Sequence, residues 1–388
     1  MGDRLTWYEF FAGGGMARLG LGDRWDCVFA NEWCSKKAEA YINYFGTGAP
    51  KTCRELRIED VANLNTSQLP GAVDLAWASF PCQDLSLAGN GAGLKGKRSG
   101  AFMPFWKLME TLSQEKRAPR LIVLENVVGA LTSHEGKDFS LLIQKLTDCG
   151  YRVGGMVIDA VRFVPQSRPR LFIVGFHSGS ALPADVSDSS ADERWHTRLV
   201  TDAVRKLPDH LRQAWMWWSL PVPNLPLPSL RTLIEEEPSG VEWYSRSQTE
   251  RIVSLMSPIH LQKLDKAKRL GKRVIGTIYK RTRPNAEGIR EQRAEVRFDQ
   301  ISGCLRTPVG GSSRQVIIVV EGDRVRSRLL SPREAARLMG VPDSYPLPHK
   351  YNDAYHLFGD GVVVPVVSWL ERHLLYPLAA SAKVVKAA

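Results

Sequence analysis

Cys82 is placed in the sequence like an exposed nucleophile. It stands in the run Ser-Phe-Pro-Cys-Gln, directly after the apolar stretch 73–79 and before the glycine-containing stretch 86–100. In an open α/β sheet ligands bind at the carboxyl ends of the strands, and a thiol there can attack a substrate. The alternative interpretation is a buried and inert cysteine, which is common for a lone thiol.

A carboxylate and two guanidinium groups occur in similar places. Glu125 ends the apolar stretch 121–125, where partial burial suits a carboxylate to share a proton with a substrate. The alternative is a carboxylate that caps the following loop. Arg168 and Arg170 alternate just before the apolar stretch 171–176, and two such groups can clamp a carbonyl oxygen or a phosphate. Either arginine could equally belong to the surface.

A run of three glycines at 13–15 follows the apolar stretch 5–10 and precedes a helical pattern. Glycines at such a turn let the backbone approach a bound cofactor closely, although a simple tight turn is an open alternative. Because Arg18 stands where a GxGxxG pattern needs its third glycine, a pyrophosphate-binding dinucleotide loop is disfavoured. Glu32 and Trp33 come about twenty residues later, where a carboxylate can accept from ribose hydroxyls and an indole can stack on adenine.

These residues need a sheet to hold them, and the first half of the chain predicts one. Short apolar runs alternate with helical stretches, which is the pattern of a doubly wound α/β sheet. A further helix is predicted to begin after Ser331, which stands at the N-cap before Pro332. The predicted strands are 5–10, 27–30, 73–79, 121–125, 156–159 and 171–176, and the predicted helices of this half are 102–115 and 139–149.

The second half of the chain differs in composition. Residues 177–193 are small and polar and are interpreted as a linker, and four prolines between 221 and 228 exclude a regular helix there. From 269 to 328 there are 14 Lys and Arg against 6 Asp and Glu, so this segment holds much of the net charge of +11. Such a segment suits a polyanionic partner, and a solvated surface is the alternative.

Composition excludes several other classes of protein. The 388 residues are 44% hydrophobic and 24% charged, which excludes wholesale disorder. None of the six cysteines forms a CxxC pair and no Cys/His cluster has zinc spacing, so neither a disulfide framework nor a metal site is expected. The N-terminal residues lack a signal-peptide pattern, and the apolar stretch 362–375 is too charged to span a bilayer. We therefore expect a soluble, cytoplasmic protein with reduced thiols and no membrane partner.

Together and in this order, the segments resemble the cytosine-5 DNA methyltransferase family of the bacterial and phage type. The likeness covers roughly 5–177 and 326–375. There are three departures from the family pattern: Met16 replaces a glycine, Glu9 stands where Asp is common, and Asp360 stands where Asn is usual. The matching motifs are the glycines 13–15, Asn-Glu-Trp at 31–33, Pro-Cys-Gln at 81–83, Glu-Asn-Val at 125–127, Gln-Ser-Arg-Pro-Arg at 166–170, Pro-Arg-Glu-Ala-Ala-Arg-Leu-Met-Gly at 332–340, and 359–367.

The resemblance implies an α/β fold with the doubly wound, Rossmann-like sheet of S-adenosylmethionine-dependent methyltransferases. It implies a catalytic domain of 1–177 and 328–388 around a smaller target-recognition domain of 178–327, in which Thr307 and the run 310–314 suit phosphate and base contacts. The implied reaction moves a methyl group from S-adenosylmethionine to carbon 5 of a flipped cytosine in double-stranded DNA, leaving S-adenosylhomocysteine. A monomer is expected, and a restriction endonuclease acting on the same site is a candidate partner.

The same resemblance assigns a role to each site residue. Cys82 attacks carbon 6 of the cytosine, and Glu125 hydrogen-bonds its N3 and amino edge. Arg170 holds the cytosine O2, with Arg168 supporting it. The implied cofactor contacts are Phe11, Gly13, Gly14, Gly15, Glu32, Trp33, Asp60, Val61, Pro81, Asp360, Gly361 and Val362.

Three rival classes are weighed against this one. A transfer-RNA cytosine-5 methyltransferase of the same fold is the nearest, but the Cys-Phe-Thr segment typical of that family does not occur between 178 and 327. A catalytically idle DNA-binding regulator would be expected to lack Cys82, Glu125 or the glycine turn. A Rossmann-fold dehydrogenase is disfavoured by the incomplete phosphate loop.

Overall fold

The computed structural model describes residues 4–81, 99–224, 226–284, 287–306 and 314–384. Cys82, Thr307 and residues 310–313 therefore lie outside the described residues. The chain forms two compact units. The first contains Met1–Asp159, Pro169–Pro223 and Val362–Ala388, and the second contains Ala160–Arg168 and Asn224–Gly361.

The first unit is built on a seven-stranded sheet, which confirms the predicted fold class. The order across the sheet is β3-β2-β1-β4-β5-β7-β6, and of these seven strands only β7 runs opposite to the others. The central strands are buried on both faces and are mostly apolar, as expected for such strands. The strands of the chain are β1 (Leu5–Phe10), β2 (Trp25–Glu32), β3 (Leu56–Ile58), β4 (Leu75–Ala78), β5 (Leu121–Val127), β6 (Tyr151–Asp159), β7 (Pro169–His177), β8 (Ser187–Asp188), β9 (Trp217–Trp218), β10 (Val274–Pro284), β11 (Arg290–Arg297), β12 (Val316–Glu321) and β13 (Arg324–Leu329).

The strand predicted at 156–159 is longer than expected. β6 already begins at Tyr151, and its early part contains Gly154 and Gly155. A Cβ at Gly154 would lie 2.4 Å from the backbone oxygen of Met216, so the glycine is needed where another part of the chain approaches the strand. A glycine pair resembles a break in a strand pattern, which is why the sequence analysis began this strand too late.

Helices cover the sheet, and their ends have visible causes. The helices predicted at 102–115 and 139–149 are observed as α3 and α4. α4 begins after Gly136 and ends before Gly150, whose φ values of +89° and +82° are left-handed conformations that favour glycine. The helices are α1 (Met16–Leu21), α2 (Ser35–Phe45), α3 (Phe102–Gln114), α4 (Lys137–Asp148), α5 (Arg198–Arg205), α6 (Asp209–Gln213), α7 (Leu230–Leu233), α8 (Arg246–Ser254), α9 (Pro258–Arg269), α10 (Pro332–Leu338), α11 (Tyr351–Asp360), α12 (Val364–Leu370) and α13 (Tyr376–Val384).

The prediction of a linker at 177–193 is wrong. Residues Pro169–Pro223, which include this segment, belong to the first compact unit. Trp195 is fully buried there, with its ring centroid 4.8 Å from that of Trp369 on α12. Most of the small polar residues in this segment are exposed or half-buried. Trp195, which follows them, is buried within the first unit.

The second unit contains a four-stranded antiparallel sheet that the sequence analysis did not predict. Its order is β11-β10-β12-β13. One face packs against α8 and α9, with Ile278, Val296 and Ile318 in a common core. Residues alternate between the two faces of a strand, so Thr277 and Tyr279 lie on the opposite face.

The helix predicted after Ser331 is observed as α10. Ser331 and Glu334 form a reciprocal capping box, in which each side chain accepts from the backbone N–H of the other. Glu334 also accepts from both terminal nitrogens of Arg328, at 2.8 and 2.6 Å, and both side chains of this ion pair are fully buried. This pair joins β13 to α10.

The compact units and the predicted functional domains differ at 160–168, at 178–223 and at 328–361. The predicted domains concern function and stay a prediction. Among the described residues, no helix combines the length and apolar character needed to cross a membrane. The same residues contain no group of three or more side chains that could hold a metal ion.

Candidate functional site

The glycine turn after β1 packs against side chains at Gly15 and has open space beside Gly13. Phe11, Gly13 and Gly15 have φ values of +58°, +58° and +76°. A Cβ at Gly15 would lie 2.3 Å from the ring of Phe45 on α2, whereas one at Gly13 would meet nothing within 4 Å. The turn therefore packs against α2 and leaves open space where a ligand can approach the backbone of Gly13.

Glu32 connects this turn to the end of β2. Its carboxylate accepts from the backbone N–H groups of Gly13 and Cys34, both at 2.8 Å. Glu32 is 4% exposed, whereas the neighbouring Trp33 is 68% exposed. A carboxylate oxygen can accept more than one hydrogen bond, so Glu32 can still receive hydroxyl groups while Trp33 presents an exposed ring.

Asp60 and Val61 follow β3 at the same edge of the sheet. Ile58, near the end of β3, pairs with Glu32 on β2, which brings the two strand ends together. Asp60 accepts from the backbone N–H of Ala62 at 2.9 Å and caps a short 3-10 turn, and Val61 is buried beneath it.

These side chains fit S-adenosylmethionine. Its ribose hydroxyls need an acceptor, and Glu32 has spare lone pairs. Its adenine needs an apolar face, and Trp33 presents one that protein atoms leave largely uncovered. Close approach of its amino-acid part to the backbone needs open space, which exists at Gly13.

Glu125 and Arg170 meet at the carboxyl end of β5. The carboxylate oxygen Oε1 of Glu125 lies 3.3 Å from Nε of Arg170, and both side chains are largely buried. Because β7 runs antiparallel to β5, its first residues pair with the last residues of β5, and Arg170 stands opposite Val127. The two groups therefore share one face and one edge of the sheet.

The chain that leads to Cys82 leaves the sheet at this same edge. β4 and β5 are parallel, with Ala78 opposite Leu124, so their carboxyl ends lie side by side. Asn126 donates to the backbone oxygen of Phe80 at 3.4 Å. Pro81 is half-buried and is the last described residue before Cys82.

The two arginines of the 166–170 segment have different surroundings. Arg168 is 2% exposed, and its guanidinium donates to backbone oxygens: to Leu305 at 2.7 Å, to Gly359 at 2.8 Å and to Gly361 at 2.7 Å. In this conformation the Arg168 guanidinium binds main chain of the second unit. The prediction that Arg168 supports Arg170 stays a prediction.

Asp360 and its neighbours end α11. Asp360 is exposed and Val362 is buried. The backbone carbonyls on either side of Asp360 are the two that Arg168 binds, which holds this short segment in one conformation. The cofactor contacts expected of Asp360, Gly361 and Val362 stay a prediction.

The sequence analysis missed Gln166. This side chain is fully buried, donates to the backbone oxygen of Leu338 at 2.8 Å and accepts from the backbone N–H of Leu305 at 3.0 Å. The sequence analysis identified the motif 166–170 but assigned roles only to its charged residues, Arg168 and Arg170. A glutamine between two apolar stretches is itself a signal of buried backbone recognition, since a buried amide must be hydrogen-bonded.

A basic cavity of about 220 Å³ lies on the second unit. Gly303, Cys304 and Arg306 form part of its lining, and Lys263, Arg281 and Arg297 bring further positive charge. Thr277 and Gln315 also line it, and Thr277 Oγ1 and Gln315 Oε1 have no hydrogen-bond partner within the part of the chain that the structure describes. Positive charge and polar atoms without partners suit contacts with phosphate groups and base edges.

Glu9 is a buried carboxylate in β1. It is 1% exposed, and neither carboxylate oxygen has a hydrogen-bond partner within the described ranges. Burial is the main cause that raises the pKa of Glu9 to about 8. The nearby guanidinium of Arg18 donates instead to Tyr41 at 2.8 Å and to Glu55 at 2.6 Å.

Solved methyltransferase structures share this fold over nearly the whole chain. The S. pombe Dnmt2 methyltransferase has a TM-score of 0.59 at 18% identity, covering 97% of this chain and 99% of that one. The Entamoeba histolytica methyltransferase EhMeth has a TM-score of 0.61 at 12% identity with the same coverage. Fold and sheet order therefore define a chain with the methyltransferase architecture.

Residues 5–375 match the model of the C-5 cytosine-specific DNA methylase family, and the chain belongs to that family. Its enzyme class, DNA cytosine-5 methyltransferase, is thereby confirmed. The Type II methyltransferase M.HpaII of Haemophilus parainfluenzae is 25% identical, over 97% of this chain and 90% of its own length. M.HhaI of Haemophilus parahaemolyticus is 24% identical over 95% and 94%. M.BsuFI of Bacillus subtilis is 34% identical over 45% of this chain and 40% of its own length.

Proposed function

We propose that this enzyme transfers a methyl group from S-adenosylmethionine to carbon 5 of a flipped cytosine in a specific double-stranded DNA sequence. The observation that carries the proposal is the pairing of Glu125 with Arg170 at the sheet edge where β4 ends and the chain continues to Cys82. Together with the thiol that follows Pro81 in the sequence, this carboxylate and this cation make up the set of groups that addition to a cytosine ring needs.

The proposed reaction begins with the Cys82 thiolate. Its sulfur adds to carbon 6, and the electron pair of the carbon 5–carbon 6 double bond moves so that carbon 5 becomes nucleophilic. Glu125 hydrogen-bonds the N3 and amino edge, and Arg170 holds O2, so both stabilise the charge that the addition moves into the ring. S-adenosylmethionine supplies an electrophilic methyl group. Loss of the carbon 5 proton then restores the double bond and expels the Cys82 thiolate.

Glu32, Trp33 and the turn 13–15 are the proposed cofactor residues of the first unit, together with Phe11, Asp60, Val61 and Pro81. Asp360, Gly361 and Val362 are the proposed contacts from the end of α11. The support is the geometry at Gly13 and Glu32 and the exposed ring of Trp33.

Double-stranded DNA is the proposed partner, and the target-recognition domain predicted at 178–327 is the part proposed to recognise it. A base inside a duplex cannot reach a buried carboxylate, so the target cytosine has to leave the stack. The relatives are named Type II methyltransferases, which supports a cognate restriction endonuclease as a further partner. The proposed enzyme works as a monomer in the cytoplasm of a bacterial or phage-infected cell.

Bisulfite sequencing of plasmid DNA from cells that express the protein tests this proposal. We expect protected cytosines within one recurring sequence, and none in cells expressing Cys82→Ser. A serine hydroxyl is scarcely ionised at neutral pH, so it cannot replace the thiolate. Methylated transfer RNA together with unmodified plasmid would instead establish the rival enzyme of the same fold.

A duplex with fluorine at carbon 5 of the target cytosine tests the covalent step. The methyl group is transferred, but fluorine cannot leave as a cation, so the Cys82–carbon 6 bond persists and survives denaturation. Burial raises the pKa of Cys149 to about 11 and also raises that of Cys27, so neither thiol is expected to form the adduct. An adduct on any cysteine other than Cys82 would contradict the mechanism.

A further inference from the structure

Leu305 is held by hydrogen bonds on both sides of its backbone. Its N–H donates to Gln166 at 3.0 Å, and its carbonyl accepts from Arg168 at 2.7 Å. A short backbone ladder reinforces this attachment, since Ser167 N–H donates to Ser302 O at 3.0 Å and Ser302 N–H donates to Pro165 O at 2.7 Å. The segment 302–305 is therefore fixed to 165–168.

The guanidinium of Arg168 also binds a second backbone segment of the same unit, at Gly359 and Gly361. One nitrogen donates to Leu305 O, and the other donates to Gly359 O and Gly361 O at 2.8 and 2.7 Å. Hydrogen bonds from a charged group are stronger than those between neutral groups. Arg168 is only 2% exposed, so water hardly competes for these hydrogen bonds. A single planar group thus joins segment 302–305 to segment 359–361.

The two joined segments have different surroundings. Gly303, Cys304 and Arg306 line the basic cavity, to which Lys263 contributes a further cation. Segment 359–361 ends α11 and carries exposed Asp360, one of the residues proposed to contact the cofactor. A change in the backbone at Leu305 cannot leave Gly359 and Gly361 unaffected without breaking a buried, charged hydrogen bond.

We propose that Arg168 is a positioning residue that couples DNA binding to cofactor binding, and that it does so through these backbone carbonyls rather than through the reacting cytosine. The proposal rests on the proposed function, since it takes DNA to bind at the basic cavity and the cofactor to bind at Asp360. DNA that stabilises the backbone of segment 303–306 also stabilises that of segment 359–361 through Arg168. Each ligand therefore strengthens the binding of the other by the same factor.

The test measures that factor with S-adenosylhomocysteine, which binds without turnover. Calorimetry gives its Kd without and with a saturating duplex that carries the sequence found by bisulfite sequencing. We expect the duplex to tighten binding of S-adenosylhomocysteine by at least about fivefold in the unaltered enzyme. In Arg168→Lys the factor should fall towards one, because a single ammonium cannot donate to Leu305 and to both glycines at once.

Two further variants separate coupling from simple loss of stability. Gln166→Met has nearly the same volume but releases Leu305 N–H, so it should also lower the factor. Arg328→Lys alters another fully buried arginine of the same unit, one that binds Glu334 and not Leu305. It should lower the melting temperature and leave the factor unchanged.

The results distinguish this inference from the proposed function. A coupling factor in Arg168→Lys equal to that of the unaltered enzyme overturns the inference, and so does an equal loss of coupling in Arg328→Lys. An unaltered enzyme that methylates DNA but binds the two ligands independently overturns the inference alone. An enzyme that methylates no cytosine in DNA overturns both.

Discussion

Nε of Arg170 lies 3.3 Å from the carboxylate of Glu125, although the two residues stand on different strands. The reversed direction of β7 creates this pair, since its amino end lies beside the carboxyl end of β5. A parallel strand in the same place would begin at the opposite edge of the sheet. Both groups are carried by strands, which hold a site more rigidly than loops do.

The first prediction concerns Arg170. Arg170→Lys keeps the positive charge but loses the planar fork that can hold Glu125 and the cytosine O2 together. We expect kcat to fall by about 10²-fold, as when one donor is removed from a preorganised site. Radioactive methyl transfer measures this. The control is Arg152→Lys on β6, which pairs with the far end of β7, at Phe176; an equal loss there would assign the effect to sheet stability.

The second prediction separates Glu32 from Trp33. Glu32→Ala removes two backbone hydrogen bonds as well as the ribose acceptor, so both the melting temperature and cofactor affinity should fall. Trp33→Ala alters an exposed ring, so affinity should fall by about tenfold while the melting temperature stays the same. Calorimetry and thermal unfolding measure the two effects. Unchanged affinity in Trp33→Ala would place adenine elsewhere.

The third prediction concerns the salt dependence of DNA binding. Arg290 and Arg306 are exposed cations of the basic segment 269–328. If each neutralises a phosphate, replacing either by Ala should flatten the slope of log affinity against log salt by about 0.9. Arg246→Ala is the matched control, because this exposed arginine of the same unit already pairs with Glu250 at 2.8 Å. Affinity that does not vary with salt would return the segment to a solvated surface.

The fourth prediction concerns the pH dependence of stability. The pKa of Glu9 is raised from 4.5 to about 8 by burial, so between these values the folded state keeps a proton that the unfolded chain has lost. The resulting stability is present below about pH 4.5 and is lost as the pH rises towards 8. Glu9→Gln cannot titrate, so its stability relative to the unaltered protein should rise by a few kcal/mol across this range.

Thermal unfolding of both proteins at several pH values tests this prediction. Glu55→Gln is the control, since Glu55 is a partner of Arg18 but lies less deeply buried. A constant difference between Glu9→Gln and the unaltered protein from pH 5 to pH 8 would show that Glu9 is ionised throughout.

The fifth prediction concerns the buried pair of Arg328 and Glu334. Glu334→Gln leaves a cation in a fully buried position, so the free energy of unfolding should fall by about 3–5 kcal/mol. Glu250→Gln breaks an exposed pair with Arg246 and should cost less than about 1 kcal/mol. Denaturant titration followed by tryptophan fluorescence compares the two. Equal losses would contradict the structural role given to the buried pair.

Much of the first unit could be predicted from the sequence, because strands buried on both faces, such as β1 and β5, are mostly apolar. The direction of β7 could not, since nothing in its residues encodes which way a strand runs. The sheet of the second unit was missed for a different reason. Charge dominates the composition of the segment 269–328, and it obscures the alternation of Ile278 with Thr277 and Tyr279 that is typical of a strand.

Some residues of the candidate site could likewise be predicted from the sequence, and others could not. Glu32 and Glu125 could be found because strand ends mark a ligand-binding edge. A glutamine at 166 indicates buried hydrogen bonding, but its partners Leu305 and Leu338 could not be identified, because they are distant in the chain and are contacted through backbone atoms that carry no sequence signature.

That Gln166 and Arg168 bind Leu305 through its backbone N–H and carbonyl has an evolutionary consequence. Every residue type except proline offers the same two atoms, so it is the burial of the side chain at 305, and not these hydrogen bonds, that favours an apolar residue there. Arg306, the exposed neighbour that also lines the basic cavity, can then mutate without breaking either hydrogen bond. If the cavity contacts DNA as proposed, part of its lining can change by single substitutions while Leu305 stays attached to Gln166 and Arg168.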